Sequence, residues 1–167
     1  TVLISLKCTD QINANVIPEY DADMDDIKSI LIYSCEYMSS NSDCSFCVEG
    51  FGQRNWPVDI GTDLAVLLEQ IPSALSSISN NKPFEIDFYE QGIERVLKFS
   101  PSNEGWDVRC LSRTDWRPNP DSITVGNDSL QKMLSDIYSC FLSYLIPLLE
   151  NSLEWRQVIE DWKDCKN

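Results

Sequence analysis

Apolar residues recur along this chain in two rhythms, and the rhythms predict where strands give way to helices. Residues 84–89 alternate strictly, with Phe84, Ile86 and Phe88 interleaved among Glu85, Asp87 and Tyr89. A period of two is the signature of a strand with one buried and one wet face. Gln91 and Gly92 supply a tight turn, and residues 93–99 then place Arg95, Leu97 and Phe99 on one face. A second turn at residues 102–105 leads into residues 106–113, completing an antiparallel meander with one apolar side. Residues 2–8 are rich in β-branched and aliphatic side chains and predict another strand. Residues 27–38, with Ile30, Leu31, Ile32 and Tyr33, read as a buried strand, although a short helix fits the same letters. Residues 44–51 suit a strand after the turn at residues 39–43.

Elsewhere the period lengthens to that of a helix. From Thr62, which is placed to cap a first turn, Leu64, Leu67, Leu68, Ile71, Leu75 and Ile78 follow helical spacing. Pro72 is expected to kink or restart that helix. Residues 115–121, with Trp116, Pro118 and Pro120, form a loop. Beyond it, Leu130, Met133, Leu134, Ile137, Tyr138, Phe141, Leu145 and Leu148 make a broad helical stripe, with Asn127 or Asp128 as its cap and Pro147 bending or ending it. Asn151, with Glu154 three residues on, is expected to cap a last helix whose Trp155, Val158, Ile159 and Trp162 share a face. Strands grouped with strands and long helices at the end predict an α+β fold. Its expected form is an antiparallel β-sheet of about five to six strands with helices packed on one face. At 167 residues, one domain spanning 1–167 accommodates this.

Charge changes the picture. Against 27 Asp and Glu stand 13 Lys and Arg, a formal net charge of -14, and both halves of the chain are acidic. Phosphate-backbone binding needs a basic stripe, so nucleic acid and anionic membrane are not expected as partners. The uncharged stretch from Ile137 to Leu149 covers only about 20 Å, short of the roughly 30 Å hydrocarbon core. Seven Cys without a compact, even framework read as reduced thiols, and with the small residue Thr1 at the start they suggest a cytoplasmic protein.

Candidate chemistry is sparse. The run Glu19, Asp21, Asp23, Asp25 and Asp26 has the alternation of a calcium-binding loop, but Asp26 stands where the turn needs Gly and Ile32 where a bidentate Glu is required. It reads instead as a solvated or partner-facing acidic patch. Cys44 and Cys47 make a C-x-x-C pair without further ligands at matching spacing, and the chain has no His. That composition removes Ser-His and Cys-His nucleophile systems and the usual neutral-pH base. Two carboxylates at a set separation can still catalyse, which sequence does not decide. The expectation is therefore a non-enzyme with no catalytic residue, metal or cofactor. Trp116, flanked by Asp115 and Arg117 in a proline-rich loop, is the candidate binding anchor, since Trp and Arg are favoured in that role.

The stretches DFYEQGIERVLKF, LSRTDWRPNP and SLQKMLSDIYSCFLSYLIPLLE, in an acidic α+β setting, resemble bacterial immunity proteins of polymorphic-toxin and contact-dependent growth inhibition systems over about residues 84–150. The resemblance implies a small cytoplasmic protein that binds and blocks a cognate toxin domain, often a nuclease. No site residue carries over from it. A basic toxin as partner agrees with the acidic charge, because complementary fields speed association. On this reading the chain acts as a monomer, and the alternative is an assembly protein that self-associates through its C-terminal helices.

Overall fold

The computed structural model describes residues 1–16, 21, 23 and 25–165. It is an α+β fold with two antiparallel sheets. The smaller pairs β1 (Leu3–Cys8) with β2 (Cys44–Glu49), in a register that sets Ile4 opposite Val48 and Leu6 opposite Phe46. The larger is a meander of β3 (Phe84–Phe88), β4 (Arg95–Ser102), β5 (Gly105–Ser112) and β6 (Ser122–Val125). The helices are α1 (Ile27–Asn41), α2 (Ala65–Ser79), α3 (Asn127–Asn151) and α4 (Leu153–Lys163). The strands expected to share one sheet thus divide into two, because β1 and β2 occupy one another's edge while α3 packs on β1 and α2 packs on β3. A single buried cluster nevertheless runs through both sheets and all four helices.

Residues 27–38 are helical, not a strand. The buried residues of α1 are Ile30, Leu31, Ser34, Cys35 and Met38, a stripe of helical period, while Ile32 and Tyr33 face out. Asp26 decides the choice locally by accepting hydrogen bonds from Ser29 N at 2.9 Å and Ser29 Oγ at 3.1 Å as the N-cap. The cap ahead of α2 is Asp59, not Thr62: its carboxylate accepts from Thr62 N at 2.7 Å, and Asp63 reciprocates by accepting from Asp59 N at 2.8 Å. A π-helical turn, Ile60–Leu64, leads from this cap into α2.

Neither internal proline breaks its helix. Pro72 cannot donate to the carbonyl of Leu68, four residues back, and the indole Nε1–H of Trp162 on α4 donates to that oxygen at 3.1 Å instead. Pro147 leaves the Ser143 carbonyl free in the same way, and the Gln11 side chain donates to it at 3.1 Å. Each repair also fastens a distant segment to the helix. The Leu68 carbonyl is buried, and left without such a donor it would cost about 1–3 kcal/mol, whereas the Ser143 carbonyl lies in an exposed bond. α3 begins at a Gly126 cap, because Asn127 spends its side-chain oxygen on Trp106 Nε1 at 3.0 Å. Asn151 belongs to the end of α3, and Ser152 caps α4 by accepting from Trp155 N at 3.3 Å.

With an 18-residue window of mean hydropathy 1.2, the 25-residue α3 is long and apolar enough by length and composition to cross a membrane. It is longer than its uncharged centre implied. One face of it is buried in the core, from Leu130 to Leu148, and its other face carries Asp128, Lys132 and Asp136. The cysteines also differ from expectation. Cys8 and Cys44 face each other directly in the β1–β2 register with Cα atoms 4.2 Å apart and form a disulfide, a pairing that sequence spacing could not reveal. Five cysteines are free, so one cross-link does not fix a compartment. Cys47, three residues on in the same strand, points to the opposite face from Cys44, and the two do not act together.

Candidate partner-binding surface

The acidic run is a set of local turns. Glu19 lies outside the described residues. Asp25 accepts from Asp21 N at 2.9 Å, Asp21 accepts from Asp23 N at 3.0 Å, and Asp25 N donates to Asp21 O at 2.7 Å. Asp21 and Asp23 are exposed and Asp25 is half-buried. Asp26 is engaged as the cap of α1, and the Ser29 backbone N–H holds its carboxyl below the ordinary value.

The loop at residues 113–121 is bound more tightly into the fold. Its neighbour across the gap is the loop after β2, where Asn119 N donates to Phe51 O at 2.9 Å. Gly52 has a φ of +88° there, and a Cβ on it would collide with the Asn119 backbone. Trp116 lies edge-on to Trp56, with centroids 5.8 Å apart, and its ring covers Arg95 at 3.5 Å. Arg95 also lies over Trp56 at 4.5 Å, so its guanidinium sits in the corner formed by two edge-on indoles. Arg95 is only 3% exposed, its Nε and Nη1 have no hydrogen-bond partner, and burial pushes its pKa down. Asp115 and Arg117 are exposed, and Arg117 folds back on the carbonyls of Thr114 and Trp116. Among the described residues, no hydrogen bond or ion pair joins this loop to the acidic turn.

A third feature lies beside the acidic turn, where α1, the π-helical turn, α2 and the β3–β4 hairpin meet in a crevice of about 120 Å³. Its floor is the buried trio Leu31, Ala65 and Val66. Ile32 and Tyr89 stand over it, 45% and 46% exposed. Glu36, Glu69 and Glu90 rim it. The Lys28 ammonium crosses to Glu69 Oε1 at 3.0 Å, and Tyr89 Oη donates to Glu69 Oε2 at 3.2 Å. Burial pushes the Tyr89 phenol up, and the Glu69 hydrogen bond raises Lys28. Glu36 and Glu90 form no ion pair or side-chain hydrogen bond among the described residues. Behind the rim, Asp63 is buried with Oδ1 unpartnered, and desolvation lifts its pKa.

Sequence reasoning missed this crevice. The strand reading of residues 27–38 hid it: a strand also sets Lys28, Ile32 and Glu36 on one face but about 13 Å apart, whereas the helix brings each within about 6 Å of the next along its axis. Among the described residues, no group of three or more His, Cys, Asp or Glu is arranged to hold a metal ion. Comparison with known proteins returned no matching family model, curated protein or solved structure.

Proposed function

We propose that this chain is a non-catalytic immunity protein of the cytoplasm that binds and neutralises a basic, nuclease-type toxin domain. The observation that carries the reading is uncompensated acidity: a net charge of -14, with five ion pairs among the described residues to use up carboxylates. A nuclease site that holds phosphates is basic, and an acidic surface competes for it while steering the encounter. The exposed carboxylates of Asp21, Asp23, Asp26 and Glu36, with the partly exposed Glu69 and Glu90, supply such a surface. Charge sets the speed and the choice of partner, and affinity comes from a few apolar anchors.

The test is co-expression with basic, nuclease-type toxin domains, including the C-terminal domain of any large secreted protein found to be encoded immediately upstream, followed by association kinetics on the purified pair. Rescue of growth is expected, with an on-rate that falls at least tenfold as salt rises well past the physiological level, where the Debye length is about 8 Å. An on-rate indifferent to salt rejects the steering argument. Failure to bind any basic toxin domain rejects the function.

A further inference from the structure

The geometry points to the crevice between α1, α2 and the β3–β4 hairpin as the receptor for one arginine or lysine side chain presented by a basic protein partner. This rests on the binding-protein reading and names an anchor for it.

Three independent observations converge on that occupant. The first is a mixed lining: in a crevice of about 120 Å³, the apolar side chains of Leu31, Ala65 and Val66 lie beneath the polar groups of Lys28, Thr62, Glu36, Glu69 and Glu90. An apolar floor beneath a charged rim matches a long cationic side chain, whose methylene stem lies on hydrocarbon while its head stays polar. Second, the rim is acidic beyond internal need. Lys28 and Tyr89 engage both oxygens of Glu69, whereas Glu36 and Glu90 are left for an incoming donor. A guanidinium, with donors on several edges, can bridge two carboxylates as no neutral side chain can. Third, the chain's own Lys28 already sets an ammonium against this rim, so the crevice accepts a cation. That pair is exposed, with Lys28 61% accessible, and it yields readily to a competitor.

Tyr89 adds the affinity element. Its ring is half-exposed at the crevice mouth, and an incoming guanidinium stacks on such a face. Ile32 on the opposite lip excludes water from the contact once a partner closes over it.

The experiment is a ¹H–¹⁵N correlation titration of the whole chain with N-acetylarginine amide, run beside the uncharged isostere N-acetylcitrulline amide. Saturable shifts at the amides of Gly61, Thr62, Val66 and Glu90 are expected with the arginine compound and not with the citrulline compound. Glu36→Gln combined with Glu90→Gln, which breaks no internal bond, should weaken the apparent Kd at least threefold. Glu104→Gln combined with Glu150→Gln removes the same charge from exposed sites elsewhere and should leave it unchanged. Shifts scattered over the acidic surface without saturation, or equal effects of the two double variants, would overturn the crevice in favour of bulk charge. Because the probe is a free amino-acid derivative, such a failure leaves the toxin-binding reading standing. Arginine binding in the crevice alongside failure of every basic toxin domain would sustain the site and reject the function.

Discussion

Two aromatic corners of this molecule handle charge in opposite ways. At the Trp116 corner a cation is buried: Arg95 lies against both Trp56 and Trp116, with two of its nitrogens unbonded and no ion pair to it among the described residues. At the Tyr89 corner carboxylates stay in solvent around a crevice whose ring and aliphatic lip are half-exposed. The first corner has consumed its aromatic residues in holding the fold together, and the second has left them over. A Trp beside charged residues in a loop therefore says little about binding until its ring contacts are known.

Removing the rings tests that contrast most strongly at the consumed corner. Trp56→Ala deletes a side chain only 4% exposed and should cost about 3–5 kcal/mol of stability. Trp116→Ala removes the indole 3.5 Å from the Arg95 guanidinium and uncovers a buried charge, for an expected loss of about 2 kcal/mol. Urea unfolding midpoints measure both. Partner affinity of folded Trp116→Ala should stay within threefold of the parent. If affinity collapses while stability holds, the two corners have been assigned the wrong way round.

The legible parts of the fold are those set by local pattern. The alternation in residues 84–89 marks β3, and the period of Leu130 to Leu148 marks α3, since burial on one face imposes those rhythms directly. Residues 27–38 mislead because Ile30, Leu31, Ile32 and Tyr33 are apolar without a break, and only the Asp26 cap and the outward Ile32 and Tyr33 mark a helix. The true caps lie one to three residues from the expected ones, at Asp59 rather than Thr62 and at Ser152 rather than Asn151. Several capable residues lie adjacent there, and tertiary contacts choose among them. β6 gives no clear signal, being short and only half-buried at the meander's edge. The prolines are visible in the sequence, but their rescue by Trp162 and Gln11 spans 94 and 132 residues, beyond any local signal. Of the expected binding residues, Asp21 and Asp23 are exposed, Asp26 is a cap and Trp116 is packed, while Glu19 lies outside the described residues.

Asp26 sharpens the difference between acids left to solvent and acids used by the fold. Asp26→Ala removes the cap of α1 and should cost about 1 kcal/mol. Its carboxyl lies below the ordinary carboxylate value, so its stabilisation is fully present above that value and is lost as pH falls through the lower, folded-state pKa. The gap between parent and variant should narrow in acid. Asp63 behaves oppositely: its raised pKa makes the charged form a burden that fades as pH falls through the folded value. Thermal melts across the acid range would expose the two signs, and a gap that widens in acid would exclude the carboxylate as the capping group.

The smallest effect on the fold should come from the residue argued to matter most to a partner. Tyr89 is 46% exposed, and its side-chain hydrogen bond to Glu69 lies at the surface. Tyr89→Ala should therefore shift stability by no more than about 0.5 kcal/mol, as surface substitutions generally do. Removal of a stacking face at the centre of a contact is expected to weaken partner affinity at least tenfold, equivalent to about 1.4 kcal/mol. Tyr89→Phe keeps the ring and loses only the hydroxyl, so it should recover most of the affinity. If Phe binds as poorly as Ala, the hydroxyl's hold on Glu69 is what the partner reads and the ring is incidental. That outcome would move the anchor from the aromatic lip to the carboxylate behind it, while the indoles of the Trp116 corner would keep their part in holding the fold.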